Sequence, residues 1–214
     1  NRMGAFHQSR LSFMRVLLRR LRTENWSFER SMWRVNDKGV GVATYKACGP
    51  NNIYTLVVFS HDLQDDQRSD RVIAEAWDAT FTLFDGEVDE EQILRLGSNV
   101  PLQEAGRISE SELVLSRANK SLRLFTHVRE SLAGGKQPNQ SLIDQVGYVM
   151  RTTAVYGAGK FGAADLGCWS GRSEFLGSFQ PEMLTVWLIR TFSVDLVEHM
   201  ALVDSPQTSV KLDP

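Results

Sequence analysis

Hydrophobic residues recur at two different spacings along the chain, and this change separates a sheet-forming part from helical parts. In residues 7–23 the apolar positions fall three or four apart, with arginines on the other side, which predicts an amphipathic helix. From residue 26 apolar and polar positions alternate, which is the period of a strand that buries one face. The pattern therefore predicts an α+β protein.

Four strands of an antiparallel meander are predicted within residues 26–84. The stretch Asn36-Asp-Lys-Gly39 is typical of a hairpin turn with Gly39 at positive φ, and residues 49–52 predict a second turn. The third strand is apolar on both faces and is expected in the middle of the sheet. The fourth segment also fits a helix, but the preceding series of strands favours a strand. The expected bounds are 26–35, 40–48, 53–61 and 71–84.

The remainder, residues 88–203, is predicted to be mostly helical and to pack against the meander. Ser109 and Glu112 form a capping box, and the apolar stripe after them predicts one continuous helix as far as Gly134 and Gly135. Pro181 suits the first turn of a long apolar helix that ends near residue 203. Shorter helices are expected over residues 89–96 and 140–155.

Composition narrows the class of protein. The chain has 214 residues, 42% hydrophobic residues and a net charge of −2, which fits a single folded domain. Cys48 and Cys168 form no C-x-x-C motif, so we expect buried thiols in a reducing, cytoplasmic compartment and no thiolate metal site. Charged residues interrupt the apolar segment 183–203, which favours a buried helix over a membrane span. The chain begins at Asn1, and a fragment of a longer protein is one interpretation.

The glycine string Gly157, Gly159 and Gly162 matches the dinucleotide-binding pattern G-x-G-x-x-G. A dinucleotide-binding loop also needs a strand before it, a helix after it and further βα units. Only about fifty residues follow, with one predicted helix among them. The context therefore argues against a dinucleotide cofactor and leaves the cofactor unknown, and it favours a loop whose N–H groups and Lys160 suit an anion.

Two arginines in apolar helical segments, Arg151 and Arg190, give the leading functional hypothesis. Arginine is rarely buried without a carboxylate partner, which comes either from the protein or from a ligand. We interpret the two guanidinium groups as a clamp for a small metabolite that carries a carboxylate or a phosphate. Three nearby side chains would add hydrogen bonds to the anion: Thr152, Tyr156 and Lys160.

Histidines give weaker indications of chemistry. His61, expected at the end of the third strand, is the candidate for proton transfer if the protein is an enzyme. Asp195 and His199 lie four apart on one helical face, but no second histidine motif supplies the further ligands of a metal site. We interpret that pair as the polar end of a helix.

Two other classes of function remain open. Five tryptophans and a long helix that is apolar all round indicate a non-enzymatic, homo-oligomeric assembly or regulatory module. The arginines of the first helix indicate nucleic-acid binding, although a net charge near zero argues against it. These arginines are Arg10, Arg15, Arg19, Arg20 and Arg22.

Overall fold

The computed structural model describes residues 18–62, 79–98, 112–118, 122–139, 141, 169, 171–175 and 181–213. Within these ranges the chain forms five strands, three α-helices and a short 3₁₀ helix, in addition to helical residues 18–23 and 141. Most of the helical residues follow the first four strands along the chain. The predicted α+β class is therefore confirmed.

The strands form one antiparallel sheet in which each strand pairs with its neighbour in sequence. The third strand is central and almost completely buried, as its apolar sequence predicts. All four predicted strands are present, although the fourth begins at Ala79 and the predicted segment 71–78 lies outside the described residues. The bounds are β1 Ser27–Val35, β2 Gly41–Cys48, β3 Ile53–Ser60, β4 Ala79–Asp85 and β5 Glu112–Ala118.

The fifth strand corrects the predicted continuous helix after Ser109. Residues 112–118 pair with β4, from Phe84 opposite Glu112 to Ala79 opposite Ala118, and the helix begins only at Leu122. The apolar spacing in this stretch fits a helix, but β4 would otherwise leave a row of backbone N–H and C=O groups without partners. Strand pairing supplies those partners and overrides the local periodicity.

Three helices complete the described fold, and their ends agree with the sequence signals. Helix α1 spans Glu90–Gly97 and begins with a capping box between Asp89 and Gln92. Helix α2 spans Leu122–Ala133 and ends directly before the two predicted glycines. Helix α3 spans Pro181–Asp204 and begins at the predicted proline, while the 3₁₀ helix covers Ser173–Phe175.

Helix α3 lies between the sheet and α2, which explains why it is apolar all round. On the sheet side, the ring of Phe192 contacts the rings of Trp33, Tyr45 and Phe81. On the other side, Val197 and Ala201 join an apolar cluster with α2 residues such as Leu132. The sheet and α2 therefore cover two sides of this helix, while residues such as Arg190 and Leu202 are exposed. Among the described residues, no helix combines the length and the apolar character that crossing a membrane requires.

Gly39 fixes the hairpin between β1 and β2 directly beneath α3. Its φ is +76°, as the turn sequence predicts. A Cβ atom at this position would also lie 2.9 Å from the sulfur of Met200. Positive φ favours glycine here, and any larger residue would also have to displace the Met200 side chain.

Candidate functional site

The structure places only two of the predicted site residues. His61 and Arg190 belong to the described part of the chain. The other proposed anion-binding residues and the glycine string lie outside it: Arg151, Thr152, Tyr156, Gly157, Gly159, Lys160 and Gly162.

Arg190 is exposed, so the expectation that this arginine is buried is wrong. Its neighbours Leu188, Ile189 and Phe192 are buried, whereas position 190 faces solvent. The Cζ atom of Arg190 lies 5.5 Å from the centre of the Trp187 ring, one helical turn earlier. Apolar residues along a helix therefore did not imply burial of the arginine among them.

The indole ring of Trp187, over which Arg190 lies, is itself packed against β1. The indole is half-buried, and its ring centre lies 6.2 Å from that of Phe28 on β1. Because β1 and α3 hold the indole between them, the guanidinium group stacks on a fixed surface. A guanidinium group over an indole ring is attracted to the electrons of the ring, and this attraction restricts the side chain to fewer positions.

The same stack of arginine on tryptophan occurs at two other places. Arg30 lies over Trp33 at 4.9 Å, and Arg172 lies over Trp169 at 4.6 Å. In all three pairs the two residues are three positions apart in the sequence. This spacing is visible in the sequence, and it is the signal that our sequence interpretation missed.

In two of the three stacks the guanidinium group also binds an aspartate from another element. Arg30 Nη1 lies 3.2 Å from Oδ2 of Asp195 on α3, and Arg172 Nη2 lies 2.6 Å from Oδ2 of Asp85 at the end of β4. Arg190 forms no ion pair with any acidic residue whose side chain the structure describes. Of the three stacked arginines, Arg190 is therefore the one whose hydrogen-bonding edge has no carboxylate partner among these residues.

A buried carboxylate, Glu174, lies at the end of the sheet where β3 begins. Glu174 is 5% exposed and accepts hydrogen bonds from the amide of Asn52 and the phenol of Tyr54. The Tyr54 hydroxyl in turn accepts a hydrogen bond from Arg172 Nη1 at 3.3 Å. Trp169 and Phe175, both nearly inaccessible to solvent, flank the Tyr54 ring at 5.3 Å each. These contacts join residues 169–175 to the sheet.

The electrostatics of this network favour an ionised glutamate beside a neutral tyrosine. Burial by itself raises the pKa of the Glu174 carboxyl, but hydrogen bonds from Tyr54, the backbone, Asn52 and Ser173 outweigh it, so the pKa is below its ordinary value. Burial and the bond to Glu174 raise the pKa of the Tyr54 phenol. The hydrogen bond to Asp85 raises the pKa of Arg172. Every charged group here is satisfied within the protein, which is typical of a structural network.

Asp195 and His199 have separate partners and do not form a joint site. Asp195 accepts a hydrogen bond from Tyr45 at 2.8 Å in addition to its ion pair with Arg30. Burial, followed by the bond to Asp195, raises the pKa of the Tyr45 phenol. His199 Nε2 lies 3.1 Å from the backbone oxygen of Asn36. Across the described ranges, no group of three or more His, Cys, Asp or Glu residues is arranged to hold a metal ion.

His61 lies on the other side of the sheet from Arg190. Its Nε2 atom is 3.3 Å from Oγ1 of Thr80. Thr80 and Phe81 are consecutive in β4 and point to opposite faces, and it is Phe81 that contacts α3. The two described candidate residues are therefore separated by the sheet.

The arginines of the first helix have different surroundings. Arg20 forms an ion pair with Glu24 within the same chain, while Arg19 and Arg22 are exposed. Arg10 and Arg15 lie outside the described residues. Nucleic-acid binding through this helix stays a prediction.

The fold and the stacked arginines thus define an α+β protein with a meander sheet and a central buried helix. Comparison of the chain with protein-family models, with curated proteins and with solved structures finds no match.

Proposed function

We propose that the protein binds a small molecule bearing a carboxylate or a phosphate, and that Arg190 is a main contact for that anion. The observation that supports this proposal is the comparison of the three arginine–tryptophan stacks. Arg30 and Arg172 each bind an aspartate, whereas Arg190 presents the same stacked guanidinium group to solvent. A ligand carboxylate would form an ion pair with Arg190, as aspartates do with Arg30 and Arg172.

The chemistry of arginine fits this role. Its planar group offers two parallel N–H donors to the two oxygens of a carboxylate or phosphate. Because Trp187 already restricts the orientation of the side chain, less conformational entropy is lost when the anion binds. An exposed ion pair contributes at most about 1 kcal/mol, so useful affinity requires further contacts.

Those further contacts remain a proposal from the sequence. Arg151, Thr152, Tyr156 and Lys160 supply the donors that an anion needs, and we keep them as candidates for the same ligand. We do not include His61, because its described contact lies on the face of the sheet opposite α3.

Native mass spectrometry of gently purified protein tests the proposal. We expect extra mass that is released on denaturation, and we expect Arg190→Ala to carry less of it. Arg34→Ala is the matched control, because Arg34 is also exposed but is paired with Glu90. Equal ligand occupancy in both variants would contradict a role for Arg190, and wild-type protein that carries no ligand and binds neither acetate nor phosphate would contradict anion binding.

A further inference from the structure

We infer that two copies of this chain join their sheets edge to edge through β1. The two β1 strands run antiparallel, and Glu29 lies opposite the partner's Arg34. This contact uses none of the residues proposed to bind the anion, so it stands or falls separately from anion binding.

The edge position of β1 is the first observation. In the order of the described strands, β1 pairs only with β2, so one side of its backbone has no neighbour among them. Three consecutive residues of β1, Glu29, Arg30 and Ser31, are exposed. Because side chains of a strand alternate between its two faces, this exposure leaves both faces open to solvent here. The N–H and C=O groups along such an edge can pair with another strand.

A bulge in β1 selects the kind of partner. The register with β2 shifts between Arg30 and Met32, which leaves Ser31 as an extra residue. The Ser31 hydroxyl lies 2.7 Å from Oγ1 of Thr44 on β2, which holds the bulge in place. A bulged edge is twisted and pairs poorly with a regular strand. A second copy of β1 carries the same extra residue, so two bulged strands match each other.

The bulge also decides which side chains of β1 share a face of the sheet. Glu29 lies opposite Lys46 of β2, and Arg34 lies opposite Val42. The two β2 residues are four positions apart in a strand that pairs with β3 without a register shift, so they point to the same face. Glu29 and Arg34 therefore also share this face, although two residues five apart in a regular strand do not.

Charge complementarity follows when two copies of β1 pair about a twofold axis at the bulge. Glu29 then lies opposite the partner's Arg34, and Arg34 lies opposite the partner's Glu29. On the other face, Arg30 lies opposite the partner's Trp33, the same two residue types that stack within one chain. A register shifted by one residue would place Glu29 opposite a side chain of the other face. Arg34 already binds Glu90, but a guanidinium group has five N–H donors and can bind a second carboxylate.

Sedimentation velocity over a range of protein concentrations measures the association. We expect a dimer of twice the chain mass of 24.1 kDa. We expect Glu29→Arg and Arg34→Glu each to weaken it by about 10- to 30-fold, because each change turns two opposite-charge pairs into like-charge pairs. Glu130→Arg is the matched control, since Glu130 is an exposed glutamate on α2, which α3 separates from the sheet, and we expect it to dimerise as the wild type does.

Mixing the two variants tests the register. In a dimer of one Glu29→Arg chain and one Arg34→Glu chain, both cross-strand pairs again join opposite charges. We expect the mixture to regain the association of the wild type, which also shows that both variants are folded.

Four results would each overturn the β1 interface. These are a wild type that stays monomeric at every concentration, a dimer that neither reversal weakens, equal weakening by Glu130→Arg, and a mixture that associates no better than the single variants.

Discussion

Replacing Phe192 with alanine is expected to lower the free energy of unfolding by about 3–5 kcal/mol, the range for loss of a buried phenylalanine. Phe192 is 3% exposed, and its ring contacts Trp33 on β1, Tyr45 on β2 and Phe81 on β4. The three contacting rings lie on the face of the sheet that α3 covers, so alanine leaves a cavity at the interface between the helix and the sheet. Urea unfolding followed by far-ultraviolet circular dichroism measures the loss.

Leu202→Ala is the matched control on the same helix. Leu202 is 52% exposed, and a surface substitution of this kind changes stability by only about 0.5 kcal/mol. If Phe192→Ala were no more destabilising than Leu202→Ala, α3 would not be held on the sheet in the way described.

Replacing Glu174 with glutamine is expected to lower the free energy of unfolding by about 1–3 kcal/mol at neutral pH. The change keeps the size of the side chain but replaces a carboxylate oxygen with an N–H₂ group. The amide of Asn52 and the phenol of Tyr54 then face a donor where they had an acceptor. Glu87→Gln is the control, because Glu87 is exposed and forms an ion pair with Lys46 at 2.8 Å on the surface.

Glu174→Gln also tests how the stability contributed by Glu174 depends on pH. The pKa of Glu174 is lowered in the folded protein, so its contribution to stability is present above the ordinary value of 4.5 and is lost as the pH falls through the lowered folded value. The difference in stability between wild type and Glu174→Gln should therefore shrink on acidification below 4.5. Urea unfolding at a series of pH values measures this difference, and a constant or growing difference would contradict the assignment.

The candidate site was only partly accessible to sequence reasoning. Arg190 was identified because arginine is unusual in an apolar segment, but its exposure depends on which sides of α3 the sheet and α2 cover. The tryptophan three residues before it is local information, since that spacing places two side chains on one side of a helix. The ion pairs are a different matter, because they join segments that are distant in sequence. Arg30 and Arg172 each bind an aspartate in this way, whereas Arg190 has no such partner among the described side chains.

Local chemistry in the sequence determined the elements whose causes are themselves local. Gly39 marks the first hairpin, Asp89 and Gln92 begin α1, and Pro181 begins α3, because turn geometry and helix capping depend on a few consecutive residues. Only the tertiary structure decided that residues 112–118 form a strand, because the open edge of β4 provides backbone partners that no local pattern reveals. It likewise decided the buried position of Glu174, whose hydrogen-bond donors Asn52 and Tyr54 lie more than a hundred residues away in sequence.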